Sequence, residues 1–284
     1  MVRFFGILIG LFFAGMLIYS FGRGAAEYIA NPPEKAVEYQ FHEEPKKISF
    51  ASDGPFGKFD NQQLQRGFQV YQEVCSSCHG IRLVAFRNLA ELGYNEAEVK
   101  AIAANWLIET PAVNPDTGEA STRPSIPADK FPLPFANDVA AALSNNNAIP
   151  PDLSLITKAR GGGAPYIYSL LTGYTDPPKD LPEANRPGAG LHYNPYFANL
   201  NIAMAPPITS DGLVTYSDGT EATISQMAED VSAFLIWTAE PSLIKQKQTG
   251  WAVIAFLIIA TILGYLSYQT IWADVKAEKK KKDA

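Results

Sequence analysis

Cysteine is nearly absent from this chain. Its 284 residues include two cysteines, three histidines and four methionines. So little cysteine excludes a disulfide-stapled scaffold. It also excludes a structural zinc site, which wants four ligands and would need a second cysteine pair. Charge is sparse as well, at 18% of residues, and positive charge is scarcest in the middle. Between Ala30 and Ile244 there are 14 Lys and Arg against 25 Asp and Glu, a net of −11. Such a domain is no nucleic-acid binder, and its acidic surface suits docking by a basic protein. The compensating positive charge gathers at the ends, above all in "KAEKKKK", Lys276 to Lys282.

Two stretches carry no charge at all: Phe4 to Phe21 and Trp251 to Tyr268. Each is about 18 residues, the low end for a membrane-spanning helix. The second has no polar face, which argues against a buried core helix. It is followed by Trp272, an interfacial aromatic, and then by the lysine tail. Because positive residues stay inside, the C-terminus is expected in the cytoplasm and the central domain in the periplasm. The first stretch, preceded by Arg3, fits a signal peptide cut after Ala26 or a membrane anchor; its run exceeds the usual signal core of about 7–15 residues, which favours the anchor. The expected division is 1–26 signal or N-terminal anchor, 27–248 periplasmic domain, and 249–284 transmembrane helix with a basic tail, all at the inner membrane.

Both cysteines fall in "VCSSCHG", as Cys75 and Cys78, with His79 next. In an exported domain a disulfide is the default use of two thiols, but these two would close only a very small loop. Redox Cys-x-x-Cys sites usually sit in a βαβ setting, and no such pattern surrounds this one. Cys-x-x-Cys-His is the attachment signature of c-type haem. Two thiols add to the two haem vinyl groups as thioethers, and the adjacent histidine lies under the iron as axial ligand. One covalent haem c is therefore expected on Cys75, Cys78 and His79.

The flanks read as helices. "DNQQLQRGFQVYQEV" has Asp60 as N-cap with Gln63 as capping-box partner, and Leu64, Phe68 and Tyr71 at helical spacing. "TISQMAEDVSAFLIWTAEP" repeats the design: Thr223 caps, Gln226 answers, and Ile224, Met227, Val231, Phe234, Leu235 and Thr238 share a face before Pro241. Small c-type cytochromes cross their first and last helices in this order, and Gly67 is the small residue a close crossing needs. The fold class expected is mostly α: a c-type cytochrome with long loop insertions plus terminal apolar helices.

The second axial ligand decides the chemistry, because a filled sixth position restricts the haem to electron transfer. The candidates are Met204, Met227, His42, His192 and a lysine. Met227 lies on the apolar stripe of the last helix, where packing explains it. His42 is flanked by charge near the first apolar stretch. His192 precedes "YNPYF" in a loop. Met204, in "NIAMAPPI", belongs to no helical pattern, and Pro206 and Pro207 stiffen the loop behind it. Pattern favours Met204, with His192 and an open site as alternatives. The Gly161–Gly163 run lacks the GxGxxG form and reads as close backbone approach, not nucleotide binding.

Taken together these stretches resemble the cytochrome c1 family, the haem subunit of quinol–cytochrome c reductase, in its alphaproteobacterial form. The matching segments are "GPFGKFD", "QLQRGFQVYQEVCSSCHG", "NNNAIPPDLSLITKARGGGAPYIYSLLTGY", "YNPYF", "IAMAPPI", "YSDGTEATISQMAEDVSAFLIWTAEP" and the C-terminal span, covering most of Ala51 to Ala284. The resemblance implies Cys75 and Cys78 as thioether positions, His79 as proximal ligand and Met204 as distal ligand. It also implies that Arg160 and Tyr166 bond a haem propionate, a charge-assisted pairing that a partly buried carboxylate favours, and that Asn145, Pro150 and Pro151 line the haem. Some family members carry a further disulfide, for which this chain has no cysteines. Residues 82 to 144 match more weakly, with a helix expected from Glu96 to Leu107.

The implied function is electron transfer within a membrane quinol–cytochrome c oxidoreductase that translocates protons. The implied partners are cytochrome b, a Rieske iron–sulfur protein and a c-type cytochrome acceptor, in a dimeric complex. The alternatives are an independent membrane-tethered c-type carrier feeding a terminal oxidase, and, more weakly, a haem peroxidase or sensor with an open site. A peroxidase would want a distal acid–base residue, for which only His42 and His192 are available.

Overall fold

The computed structural model describes residues 2–33 and 35–282, with the side chains of Lys279, Lys280 and Lys282 in the expected basic tail also outside the described residues. The chain is mostly helical. In order it runs α1 (Val2–Ala30), α2 (Val37–Phe41), α3 (Asn61–Val70), α4 (Glu96–Ala104), the hairpin β1 (Thr110–Val113) and β2 (Ala120–Arg123), then α5 (Asp138–Ser144), α6 (Ile156–Ala159) and α7 (Gly163–Leu171). A two-residue ladder follows, β3 (His192–Tyr193) with β4 (Asn201–Ile202), before α8 (Ile224–Ala239) and α9 (Leu243–Lys282). Both small sheets are antiparallel, Thr110 pairing with Arg123 and His192 with Ile202.

The centre of the domain is the crossing of α3 and α8. Gly67 makes it possible, as expected: a Cβ there would stand 2.0 Å from the Asp230 carbonyl oxygen and 2.7 Å from Phe234 Cβ. Beside it, Arg66 donates through Nε and Nη2 to the fully buried Asp230 carboxylate at 2.9 and 3.2 Å, and through Nη1 to Asp218 at 2.8 Å. A bidentate arginine gives both oxygens of a buried carboxylate a charge-assisted partner. The N-caps are where the sequence places them, with Asp60 accepting from the Gln62 and Gln63 amides and Thr223 from the Gln226 amide. The return arms of the two capping boxes do not form. Gln63 Nε2 donates to Glu229 and Gln226 Nε2 to Asp230, so both glutamines serve the helix crossing instead of their own helix starts.

Around the crossing lies an aromatic core of Phe68, Tyr71, Phe86, Trp106, Phe131 and Phe234. Phe86 and Phe131 approach to 4.1 Å between ring centres, and Trp106 meets Phe131 edge-on at 4.8 Å. Each such side chain contributes roughly 1.5–3 kcal/mol by leaving water. Three of the six come from residues 82–144, so this weakly matching stretch builds core. The helix expected there to Leu107 ends at Ala104, and the chain then turns to send Trp106 inward while Leu107 stays exposed. On α8 burial is nearly all-round: Met227 is fully buried, and Asp230, Ser232 and Trp237 are buried beside the expected stripe.

Two helices, Val2–Ala30 and Leu243–Glu278 within α9, are long and apolar enough to cross a membrane, with mean hydropathies of 2.2 and 2.1 and apolar windows unburied within the chain. Only Glu240 to Ser242 separate α8 from α9, so the core helix continues almost directly into the stem. Phe56 stacks on Trp251, the first residue of the uncharged run, at 5.2 Å.

Gly67→Ala tests the crossing. The added methyl would press on the Asp230 backbone and Phe234 Cβ, neither of which can swing away, and the domain should lose about 3 kcal/mol of stability. A thermal melting point equal to that of the unmodified chain would contradict the crossing geometry.

Candidate functional site

The motif sits at the end of α3. After Val70 the helix widens into a π turn, Tyr71–Cys75, closed by the Ser76 amide donating to the Tyr71 carbonyl at 2.8 Å. The cysteines follow through a further turn, with the Cys78 and His79 amides both donating to the Cys75 carbonyl. Cys75 and Cys78 are not bonded to each other. Burial pushes the Cys75 thiol up to about 12, with Cys78 adding to the shift. The two spacers have local work: Ser76 Oγ donates back to the Gln72 carbonyl at 2.8 Å, and Ser77 Oγ lies 3.8 Å from Cys78 Sγ.

His79 is held from two sides. Its Nδ1 stands 2.8 Å from the Pro151 carbonyl oxygen. A carbonyl can only accept, so the proton resides on Nδ1 and Nε2 keeps its lone pair. Burial lowers the imidazole pKa, outweighing the Pro151 bond and the Asp152 charge, which raise it. The ring is therefore neutral near pH 7. On the other side, the buried Tyr71 hydroxyl donates to the His79 carbonyl at 2.9 Å. The following residues are zipped to the same loop: Leu153 donates to the Gly80 carbonyl, the Arg82 amide to Asp152 Oδ2 at 2.9 Å, and the Leu83 amide to Ser154 Oγ at 3.1 Å.

Met204 is half-buried and lies two residues beyond β4. The turn between β3 and β4 places Leu200 in the left-handed region at φ 67°, and the buried Asn194 braces it by donating from its backbone to Leu200 and from its side chain to Leu170 at 2.8 Å. The Tyr174 hydroxyl donates to the Met204 carbonyl at 3.0 Å. Burial, then the nearby Tyr166 phenol, pushes the Tyr174 pKa up, so it stays a donor.

The remaining expected residues divide. Tyr166, on α7, is half-buried, and its pKa is raised by burial and drawn down by Arg160, which places the two within electrostatic reach. Arg160 is exposed at the end of α6. Asn145 ends α5 and donates its side-chain amide to the Ala141 carbonyl at 2.8 Å. His192 is fixed in β3 with Tyr174 edge-on to its ring, and His42 is exposed at the end of α2. Of the Gly161–Gly163 run, Gly162 (φ 82°) meets the close-approach expectation, since a Cβ would stand 3.0 Å from Pro45. Asp152, Asn194 and Tyr174 escaped the sequence reading. The Asn-Pro pair at 194–195 signals a turn, while the other two carry no local signal.

This donor set fits a covalent haem c: two thiols one turn apart, a neutral imidazole with Nε2 unprotonated, and a thioether on a braced loop. Beside the motif, Leu133 crowds Gly80 and is still 51% exposed, an apolar side chain that a flat apolar group next to His79 would cover.

Comparison with known proteins agrees with this geometry. The family described as "Cytochrome C1 family" matches residues 50–275. Cytochrome c1 of Rhodospirillum rubrum is 49% identical over 242 residues, covering 81% of this chain and 88% of that protein. Cytochrome c1 of Blastochloris viridis is 42% identical over 254 residues, covering 82% and 88%. A Bradyrhizobium diazoefficiens protein named cytochrome b/c1 is 47% identical over 246 residues, covering 80% of this chain and 35% of that longer protein.

Asp152→Ala tests the zip beside His79. It strips the acceptor from the Arg82 and Ser154 backbone amides, which donate to Asp152 Oδ2 and Oδ1, and should cost about 2 kcal/mol. An unchanged melting point would show that the loop holds without it.

Proposed function

The chain belongs to the cytochrome c1 family, whose members carry one covalently bound haem c within quinol–cytochrome c reductase, and on that premise we propose that it carries electrons one at a time from a Rieske iron–sulfur protein to a c-type cytochrome. The observation that carries this reading is the His79–Pro151 bond, which presents a neutral imidazole directly after the two cysteines. When bound, the haem supplies a one-electron iron couple. The rest is the work of this chain's residues. Cys75 and Cys78 would hold the group by thioethers, and Tyr71 and Pro151 orient His79, whose Nε2 would ligate the iron. Met204 would supply the second iron ligand, a thioether that would exclude oxygen and peroxide chemistry and raise the potential. Arg160 and Tyr166 would bond a propionate, and Asn145, Pro150 and Pro151 would line the haem.

Residues 27–248 are the periplasmic domain in this reading, and α9 is the inner-membrane stem with its lysine tail in the cytoplasm. Cytochrome b is the partner beside the stem, in a dimeric, proton-translocating complex. The relative named cytochrome b/c1 supports that pairing. The net of −11 between Ala30 and Ile244 supplies the face that steers a basic acceptor.

Purification in mild detergent with subunit identification tests the assignment. Cytochrome b and an iron–sulfur protein should co-purify; a haem protein isolated alone would point to an independent tethered carrier. Met204→Ala should abolish the long-wavelength sulfur–iron absorption band and lower the reduction potential, and an unaltered band would reject Met204 as ligand. Oxidation by a basic c-type cytochrome should slow by about tenfold or more as salt rises from low to physiological strength. A rate indifferent to salt would remove the steering role of the acidic surface.

A further inference from the structure

Met204 is supported before and behind. Two residues earlier β4 pairs with β3, and two residues later Pro206 begins the rigid pair. Neither support controls the peptide plane between Met204 and Ala205. Ala205 precedes a proline and is restricted to extended backbone, but the ψ angle of Met204 remains. That angle sets where the Met204 Cα–Cβ bond points relative to the scaffold, and so where its sulfur lies. The atom that reports ψ is the Met204 carbonyl oxygen, and this is the oxygen that the Tyr174 hydroxyl holds at 3.0 Å.

Tyr174 is well placed to act as an anchor because its own backbone follows a crowded turn. At Gly173, just after α7, a Cβ would stand 2.4 Å from Tyr196 Cδ2 and 2.6 Å from the Ser169 carbonyl oxygen. The chain therefore leaves α7 along one tightly packed path. The Tyr174 ring is flanked edge-on by His192 at 6.5 Å between ring centres, and His192 is itself paired with Ile202 on β4. Helix α7, the β3–β4 ladder and the Met204 loop thus meet at one phenol.

We propose that Tyr174 is a positioning residue for the sulfur ligand: its hydroxyl fixes the Met204 carbonyl and so keeps the thioether on the haem iron. This rests on Met204 being the sixth ligand. The thioether is a weak ligand for ferric iron, so a looser Met204 yields its place more readily to an added ligand. No change at the iron, the haem attachment or the propionate partners is needed for the effect.

The test is imidazole titration of the full-length ferric protein in detergent, following loss of the sulfur–iron band. Tyr174→Phe keeps the ring and removes one hydrogen bond, so imidazole should bind about five-fold more tightly. The same factor confined to the ferric state raises the reduction potential by about 40 mV, at 59 mV per tenfold for one electron. Tyr168→Phe, which removes from α7 a hydroxyl bonded to Ser225 Oγ, is the control and should leave both quantities unchanged. A Tyr174→Phe protein with the band and imidazole affinity of the unmodified chain, or a Tyr168→Phe protein shifted as far, overturns the role of Tyr174 alone. An unmodified chain that lacks the band and binds imidazole as Met204→Ala does overturns the ligand assignment, and this inference with it.

Discussion

The domain depends on one backbone approach, where α3 passes α8 with Gly67 against the Asp230 carbonyl. A Cβ at 2.0 Å from that oxygen would force the helices apart. Their separation sets the position of Tyr71, one turn further along, whose hydroxyl holds the His79 carbonyl. The crossing is thus part of the site. It also explains why Gln63 abandons its capping-box role: at this distance it reaches Glu229 across the crossing, while Gln226 turns to Asp230 on its own helix, the carboxylate that Arg66 holds.

The two proposed axial ligands are held by separate parts of the chain. His79 is tied to the Pro151–Ser154 loop through its ring and through the amides that follow it. Met204 is tied to the β3–β4 ladder, the proline pair and the end of α7. Neither depends on the other for its position, so both can stand ready before a group lies between them. Preorganisation of this kind suits one-electron transfer, in which the ligands should move little between oxidation states. From the crossing, α8 runs through three residues into α9, which is long and apolar enough to cross a membrane.

Much of this was legible in the sequence. Cys75, Cys78 and His79 are adjacent and need no fold to be recognised. The caps Asp60 and Thr223, the buried Met227 and the crossing glycine followed from helical spacing. The bracing was not legible, because it joins residues far apart in the chain. Asp152 to Arg82, Tyr71 to His79 and Tyr174 to Met204 are backbone-directed bonds whose partners have no pattern of their own. The early end of α4 was equally hidden, since the draw of Trp106 into an aromatic core built from several segments outweighs local helix propensity.

The central claim is that His79 and Met204 together ligate the iron of a covalent haem. Near-infrared magnetic circular dichroism of the ferric protein tests it most directly, because the charge-transfer band there reports the axial pair. The account predicts a low-spin imidazole–thioether signature. A bis-imidazole signature, which would bring in His192 or His42, or a high-spin spectrum from an open sixth position, would contradict it.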